Sequence, residues 1–338
     1  MTRNLVALGQ KASANLVEVT TDLGNIEDSG TWIVLAYFET PIVALRFEDW
    51  TSIDEHTDGG WSGCGKWESL TSEDKYIQLV NEAKSQIADG IIYQVNVCRQ
   101  LRSKMTDERD LFSLYRALQT TDYSENLFYI RLNAEVSKYF NSNEIEIVSF
   151  SPEVFLSRKG DFLTTKPIKG TAKKDEEFLQ KDIAENIMIV DLMRNDLSKV
   201  CKEDSISVPT LLTRSELPYA SQLVSEVRGQ IQPGKTWHDI FEATFPPGSV
   251  SGAPKSSALK FISECESERN IYCGAFGIID STNKDAVLNV AIRTFWKDGE
   301  YLYYGTGAGI TWGSDAETEW EETELKAQTL LELVSKAI

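Results

Sequence analysis

The chain has 338 residues, of which 41% are hydrophobic and 10% aromatic, and only 9 are proline. This composition is typical of a globular protein and excludes disordered, collagen-like and low-complexity chains. The formal net charge of −18 argues against nucleic acid and anionic lipid as partners, because both bind to basic surfaces. No apolar run approaches the roughly 20 residues of a membrane-spanning helix, and the first residues do not resemble a signal peptide.

Five cysteines and two histidines limit the chemistry available to the chain. The cysteines are scattered, without a C-x-x-C pair, which favours reduced thiols in a cytoplasmic protein over disulfides or a zinc site. His56 lies in an acidic loop and His238 in a short helix, and we expect both at the surface. Any catalysis must therefore use carboxylates, Lys, Arg, Tyr and a hard metal ion.

Hydrophobic periodicity predicts an uneven succession of strands and helices. In chain order the predicted strands are 16–19, 32–38, 42–47, 91–101, 127–132, 145–150, 154–157, 162–166, 275–279, 287–296 and 301–304. The predicted helices are 72–89, 110–119, 176–197 and a last helix that opens with Ser314 as part of a capping box. Blocks of this kind, without regular βαβ alternation, predict an α+β fold with antiparallel sheets.

One predicted strand carries amides on a single face. Gln94, Asn96 and Cys98 alternate along it with apolar residues of the opposite face. Because a buried polar side chain needs a hydrogen-bond partner, this face is predicted to look into a polar cavity.

Two glycine-rich segments do not match the nucleotide-binding motifs. Gly248, Gly252 and Lys255 lack the spacing of a phosphate loop, and the segment 305–309 lacks the third glycine of a dinucleotide fingerprint. The backbone amides of such segments can still approach an anion such as a carboxylate. The segment around Ser251 also leads into a helix, whose N-terminus favours negative charge.

Two predicted helices carry acidic pairs at helical spacing. Asp182 and Glu185 form one pair, and Glu319 and Glu322 form the other, with Lys326 one turn further along. Most such pairs are solvated, but Glu185 comes just before an apolar run and would need a partner there. Carboxylates without His or Cys suit Mg²⁺. The spacing leaves both interpretations open, a solvated face and a magnesium site.

Eight segments resemble, in order, the signatures of the chorismate-utilising enzymes, which include anthranilate, aminodeoxychorismate, isochorismate and salicylate synthases. They are YQVNVCRQL, SFSPEVFL, TKPIKGTAK, ENIMIVDLMRNDLSKV, FPPGSVSGAPK, YCGAFGIID, NVAIRTFW and GAGITWGSDAETEWEETELKA. The resemblance runs from about Ser72 to the C-terminus. It implies the chorismate-binding fold, two stacked antiparallel-rich β-sheets flanked by outer helices. Residues 71–338 would form the catalytic domain, with residues 1–70 as a short β-rich segment packed on it.

The resemblance also implies a set of site residues. Glu185 and Glu322 would bind Mg²⁺, with Asp182 and Glu319 nearby. The implied substrate-binding residues are Gly170, Ser251, Tyr272, Arg293, Gly309 and Lys326. An arginine fork, amide-rich glycine segments and one Mg²⁺ are suitable receptors for the two carboxylates of chorismate.

A few positions separate the branches of the family. The isochorismate and salicylate synthases have a water-activating Lys at the position of Gln94, and a neutral amide cannot act as a general base. Lys169 stands where anthranilate synthases typically have Ala. In aminodeoxychorismate synthases this Lys attacks C2 of chorismate and expels the 4-hydroxyl, ammonia then enters at C4, and the Lys leaves. Glu153 matches the general acid/base of the family, and Gln222 replaces a His associated with the anthranilate enzymes.

The resemblance is therefore strongest to the aminodeoxychorismate synthase branch, component I, which acts in p-aminobenzoate and folate biosynthesis. Ammonia would come from a separate glutamine amidotransferase subunit, because two histidines and scattered cysteines cannot build a Cys-His-Glu glutaminase. The enzyme alternative is anthranilate synthase component I. A non-enzymatic, chorismate-binding regulatory homologue is disfavoured because Lys169, Arg293 and the acids are all retained.

Overall fold

The computed structural model describes residues 3–39, 41–53, 60–106, 111–119, 121, 126–173, 176–216 and 220–337, with only the backbone at 171–173 and 220. His56, and the predicted helix start at Asp110, lie outside the described residues. No helix in these ranges is long and apolar enough to cross a membrane.

The strands within these ranges form two antiparallel sheets. The first contains, in spatial order, β16 (Gly252–Ala253), β8 (Gln94–Met105), β20 (Tyr301–Ile310), β19 (Thr294–Asp298), β10 (Ile145–Ser149), β9 (Phe128–Leu132), β1 (Leu5–Leu8), β2 (Lys11–Ser13) and β6 (Thr51–Ser52), with β7 (Cys64–Ser69) also paired to β8. The second contains β13 (Ile168–Lys173), β15 (Ala220–Gln230), β12 (Phe162–Lys166), β11 (Val154–Lys159), β18 (Asp285–Val290), β17 (Ala275–Asp280), β4 (Thr31–Ala36), β5 (Ile42–Glu48) and β3 (Asn15–Thr20), with β14 (Ser207–Glu216) also paired to β15.

Helices cover the outer faces of these sheets. In the described ranges they are α1 (Glu73–Ala88), α2 (Leu111–Leu118), α3 (Ala134–Ser137), α4 (Gln180–Ser198), α5 (Trp237–Thr244), α6 (Lys255–Cys265) and α7 (Ala316–Ser335). Helices α1 and α6 bury apolar faces with β8 and β20, whereas α4 packs on β15 of the second sheet. His238 is exposed on α5, as expected.

The two sheets are stacked face to face around one large core. Phe128 of β9 in the first sheet stacks on Phe276 of β17 in the second, with ring centroids 4.6 Å apart. Both rings are buried, as are the neighbouring strand residues Ile130 and Leu288. The predicted α+β fold of two stacked antiparallel sheets with outer helices is confirmed.

The predicted single strand 287–296 is wrong, and the difference positions a site residue. The chain leaves the second sheet after β18, turns through residues 291–293 and enters the first sheet as β19. Arg293 adopts a left-handed conformation at this crossing, with φ of 49°. Apolar residues continue on both sides of the turn, so the hydrophobic pattern could not reveal the change of sheet.

Strands of the segment 1–70 belong to both sheets. β1, β2, β6 and β7 extend the first sheet, and β3, β4 and β5 extend the second, where β4 pairs directly with β17. Of these, only β3, β4 and β5 correspond to predicted strands. β14 and β15 were not predicted either.

The two acidic helices begin later than predicted. Helix α4 begins at Gln180 instead of 176, and the Asp182 carboxylate there accepts a hydrogen bond of 3.1 Å from the backbone N–H of Leu179. Helix α7 is capped by Asp315, which accepts from the backbone N–H of Thr318, and not by Ser314. Both helix starts therefore place acidic side chains among the first turns.

Candidate active site

The site is built where the start of β8 meets the end of β20. Gly309 of β20 pairs with Asn96 of β8, and a Cβ atom at Gly309 would lie 2.6 Å from Gln94 Nε2 and 3.3 Å from Glu185 Oε2. Only glycine allows Gln94 and the first turns of α4 to approach this strand so closely. Gln94 is buried, and its Oε1 has no hydrogen-bond partner among the described residues. The polar cavity on this side of β8 stays a prediction.

Strand β13 closes another side of the same site. A Cβ atom at Gly170 would lie 2.8 Å from the Cβ of Asp182, so the backbone after Lys169 lies directly against α4. Gln222 of β15 is buried and pairs in register with Thr171, the residue after Gly170. The position at which the family commonly has a His is therefore next to the Lys169 segment.

The acidic pairs of α4 and α7 lie close together in the structure. Glu185 and Glu319 are 8% and 2% exposed, and one ammonium group, that of Lys181, lies between them. Lys181 donates a hydrogen bond to Glu319 Oε1, and its Nζ is 3.9 Å from Glu185 Oε1. Glu185 Oε1 and Glu319 Oε2 have no hydrogen-bond partner within the described part of the chain.

Glu322 and Lys326 form the more exposed side of this cluster. Their side chains are 41% and 46% exposed and form an ion pair of 2.5 Å. Desolvation raises the pKa of Glu322, but Lys326, Lys181 and Lys169 outweigh it, and the pKa is lowered overall. Lys326 also donates to the carbonyl of Gly307 at 3.3 Å, so its ammonium is engaged within the protein.

Burial dominates the electrostatics of the inner acids. Desolvation raises the pKa of Glu185, against the opposing charges of Lys169 and Lys181. Desolvation likewise raises the pKa of Asp182, while the Leu179 N–H and nearby lysines oppose it. A cation that replaced water around these carboxylates would stabilise their ionised forms.

Glu153 and Lys169 form a second pair of candidate functional residues near the acidic cluster. Glu153 is 4% exposed, and burial raises its pKa, against a hydrogen bond from Ser249, the charge of Lys169 and the Ile168 N–H. The charge of Lys169 also acts on Glu185 and Glu322. Lys169 forms no ion pair or hydrogen bond with another described residue. Its charge thus acts both on the acidic cluster and on a buried carboxyl group suited to giving and taking a proton.

Two of the predicted substrate-binding residues, Tyr272 and Arg293, lie near residues that are further along β20. The buried ring of Tyr272 packs directly against Gly305, four residues from Gly309 and so roughly 13 Å away along the strand. Burial raises the pKa of Tyr304 to about 12, and the charge of Arg293 opposes that shift. The Arg293 guanidinium has no ion-pair partner among described residues. Glycines 305, 307 and 309 share one face of β20, because residues two apart along a strand lie on the same side.

Ser251 forms two hydrogen bonds within the protein that the sequence did not indicate. It is fully buried, its hydroxyl donates to the Pro247 carbonyl at 3.0 Å, and its own carbonyl accepts from the Asn96 N–H at 2.9 Å. Ser251 therefore joins its loop to β8.

Two residues of the site, Ser249 and Lys181, were not identified from the sequence. The i,i+4 spacing of Lys181 and Glu185 was a signal that could have identified Lys181.

In the described ranges no group of three or more His, Cys, Asp or Glu side chains converges to hold a metal ion. The lysines explain this arrangement, because Lys181 separates Glu185 from Glu319 and Lys326 is paired with Glu322. The site thus combines a buried acidic cluster, an amine beside a buried carboxyl group, and a guanidinium, and neither of these two cations has an ion-pair partner among the described residues. Such a site suits an anionic substrate whose conversion needs both proton transfer and a nucleophile.

This chain belongs to the family of chorismate binding enzymes, because the sequence model of that family matches residues 44–332. An anthranilate synthase component I-like protein from Synechocystis is 36% identical over 275 residues, covering 77% of this chain and 54% of that protein. Anthranilate synthase component 1 from Aquifex aeolicus is 32% identical over 284 residues, covering 80% of this chain and 55% of that protein. The chain therefore spans about half the length of these curated relatives.

Solved structures share the fold. Anthranilate synthase component I from Streptococcus pneumoniae superposes with a TM-score of 0.77 at 22% identity, covering 98% of this chain and 92% of that one. The menaquinone-specific isochorismate synthase from Escherichia coli gives a TM-score of 0.77 at 17% identity, covering 98% and 88%. At these identities the likeness concerns the fold and not the reaction.

Proposed function

We propose that this chain is component I of an aminodeoxychorismate synthase, which replaces the 4-hydroxyl of chorismate with ammonia. The observation that carries the proposal is the position of Lys169, an amine without an ion-pair partner among the described residues, beside the buried carboxyl of Glu153. In the proposed reaction the neutral amine bonds to C2, the ring double bonds shift, and the 4-hydroxyl leaves as water with a proton from Glu153. Ammonia then bonds to C4, the double bonds shift back, and the C2–nitrogen bond to Lys169 breaks.

Anthranilate synthesis is the second candidate, because the curated relatives described above carry that name. In that reaction ammonia would enter at C2, the atom that Lys169 occupies in the first proposal. The first reaction therefore requires Lys169 to bond to C2, whereas the second requires C2 to be free for ammonia. Lys169 favours amination at C4, and the names of the relatives favour amination at C2.

A glutamine amidotransferase is the proposed partner in either case. The relatives are described as component 1, which fits a chain that works with a second subunit. The two histidines of this chain, one of them exposed on α5, cannot supply a Cys-His-Glu glutaminase. In the first proposal the product would enter p-aminobenzoate and folate biosynthesis.

Magnesium is the proposed cofactor, and the donor set fits it. Glu185 and Glu319 each keep one buried oxygen without a hydrogen-bond partner among the described residues, and all four nearby acids offer the hard oxygen ligands that Mg²⁺ prefers. Glu185 and Glu322 would hold the ion, with Asp182 and Glu319 beside them. When bound, Mg²⁺ would neutralise a substrate carboxylate. Lys181 and Lys326 would then have to give up part of their contact with the acids.

Product analysis tests the reaction directly. The purified chain is incubated with chorismate, ammonium salt and Mg²⁺, with and without aminodeoxychorismate lyase. Formation of p-aminobenzoate only when the lyase is present supports the first proposal. Direct appearance of fluorescent anthranilate supports the second, and formation of neither product contradicts both.

Arg293→Lys is expected to weaken chorismate binding by about 1.5 to 3 kcal/mol, because an ammonium group cannot reproduce a bidentate guanidinium–carboxylate pair. Binding is measured by titration, and KM is measured in the ammonia-dependent assay. Arg228→Lys on β15, where the guanidinium stacks over Phe162, is the matched control and should leave both values unchanged. An unchanged KM and affinity in Arg293→Lys would contradict this role.

Glu153→Gln is expected to lower turnover by on the order of 10² to 10⁴-fold, since an amide cannot transfer the proton. The same substitution should not lower the stability of the folded protein at neutral or higher pH. Burial raises the pKa of Glu153 in the folded protein, so the folded state binds this proton more tightly than the unfolded state does. The contribution of Glu153 to the unfolding free energy therefore falls as pH rises above the ordinary carboxyl pKa.

The amide does not ionise, so Glu153→Gln should unfold at an equal or higher temperature than wild type at pH 8. This advantage should shrink towards pH 4 to 5. The measurement is thermal unfolding across that range, with the exposed Glu300→Gln as control. An advantage that grows as pH falls would show that burial of the charged form is not the dominant effect.

A further inference from the structure

Lys181 is the cation that links the two acidic helices. It lies in the first turn of α4, donates to Glu319 Oε1 of α7, and lies 3.9 Å from Glu185 Oε1 of its own helix. Its side chain is 31% exposed, whereas those of Glu185 and Glu319 are 10% and 2% exposed. The two carboxylates therefore have little access to water, and among the described residues Lys181 is the cation that lies within ion-pair distance of both.

Lys181 compensates this charge only in part. Glu319 Oε2 and Glu185 Oε1 remain buried without a hydrogen-bond partner in the described part of the chain. A buried carboxylate oxygen without a donor or a cation is costly. The pair therefore retains acceptor capacity that no described hydrogen-bond donor uses.

The second lysine of the cluster is placed differently. Lys326 pairs with Glu322 where both side chains are more than 40% exposed, so water can replace either partner. Lys181 makes its contacts where water is largely excluded and electrostatic interactions are stronger. Of the two lysines, Lys181 therefore has the larger effect on the charge of the inner acids.

We propose that Lys181 is an internal counter-ion, which stabilises the acidic cluster without metal and lowers its affinity for a divalent cation. The ammonium group and the cation use the same carboxylate oxygens, so binding of the ion requires Lys181 to leave Glu319 or to remain beside a like charge. Both alternatives reduce the affinity. This inference rests on the magnesium site proposed above and adds a residue that sets its strength.

The test is calorimetric titration of MgCl₂ into the full-length chain, together with thermal unfolding in chelator and in excess Mg²⁺. Lys181→Met should bind Mg²⁺ on the order of tenfold more tightly than wild type, because one positive charge beside the ion is removed. In chelator it should unfold at a lower temperature than wild type, so Mg²⁺ should raise its unfolding temperature by more. Lys181→Arg keeps the charge and should bind Mg²⁺ about as wild type does.

Lys104→Met is the matched control, since it also removes one positive charge and one ion pair. Lys104 pairs with Glu300 at 3.0 Å on the surface, ten residues from Gln94 along β8 and so roughly 33 Å away. Its Mg²⁺ affinity should equal that of wild type. A tenfold gain in this control as well would assign the effect to net charge and overturn the role of Lys181.

The outcomes separate the two proposals. If wild type binds no Mg²⁺ in the titration, the magnesium site itself is wrong. If wild type binds Mg²⁺ and Lys181→Met binds it equally or more weakly, only the counter-ion role is overturned. A variant that folds only when Mg²⁺ is present supports the role. If Lys181→Met does not fold under either condition, the same titration of Lys181→Gln decides, with a tighter affinity than wild type again expected.

Discussion

Glu185→Gln and Glu322→Gln are each expected to reduce kcat/KM by on the order of 10²-fold or more, as loss of a metal ligand does. The two carboxylates lie on different helices, and each is within the electrostatic influence of Lys169 and Lys181. An amide keeps the shape of the side chain but not the charge that would hold Mg²⁺. Activity is measured with ammonia as a function of Mg²⁺ concentration, and excess metal should restore part of it.

Glu321→Gln is the matched control for these two variants. Glu321 is exposed on α7 and precedes Glu322. The substitution therefore removes a charge from the same helix without changing a residue of the acidic cluster. It should retain wild-type activity and metal dependence. Undiminished activity of wild type in excess chelator would contradict the assignment of all the acids.

Local features of this chain could be predicted from the sequence because neighbouring residues determine them. The helix predicted at 72–89 is observed as α1, and the Ser72 side chain accepts from the backbone N–H of Lys75 at its start. The strand predicted at 162–166 is observed with the same bounds as β12. In both cases apolar periodicity and a capping or turn residue gave the same answer within a few residues.

Features that depend on contacts between distant segments could not be predicted in this way. The break between β18 and β19 follows from the stacking of two sheets, and nothing in the apolar alternation near Arg293 marks it. The contact of Lys181 with Glu319 joins residues 138 positions apart. Resemblance to known motifs indicated which residues belong together, but it did not indicate that two lysines already pair with the acids.

The charge of this site follows from the same long-range contacts. Glu153, Lys169 and Glu185 come from the segment before β11, from β13 and from α4, respectively, and each alone would be interpreted as an ordinary surface or core residue. Burial of the carboxyl groups and the absence of an ion pair at Lys169 within the described residues become apparent only once the sheets are assembled. The choice between the two amination reactions therefore depends on the chemistry of one amine.

Lys169→Ala is expected to abolish formation of 4-amino-4-deoxychorismate, because no other described side chain places an amine beside Glu153 in this way. With C2 no longer blocked, ammonia can reach it, and traces of the C2-aminated precursor of anthranilate are expected. Products are separated and quantified after incubation with chorismate, ammonium salt and Mg²⁺. Lys166→Ala on β12, where Lys166 pairs with Glu226 at 3.1 Å, is the control and should retain the wild-type product.

Lys169→Arg distinguishes a nucleophile from a binding residue. The guanidinium keeps the positive charge near Glu153 and Glu185, but it does not deprotonate at working pH and cannot form the bond to C2. If Lys169 acts covalently, Lys169→Arg should be as inactive as Lys169→Ala in the lyase-coupled assay, although it still binds chorismate. Turnover near that of wild type would instead mean that the charge alone matters. In that case the regiochemistry must come from how Arg293 and the acidic cluster orient the ring, and amination at C2 would become the first candidate.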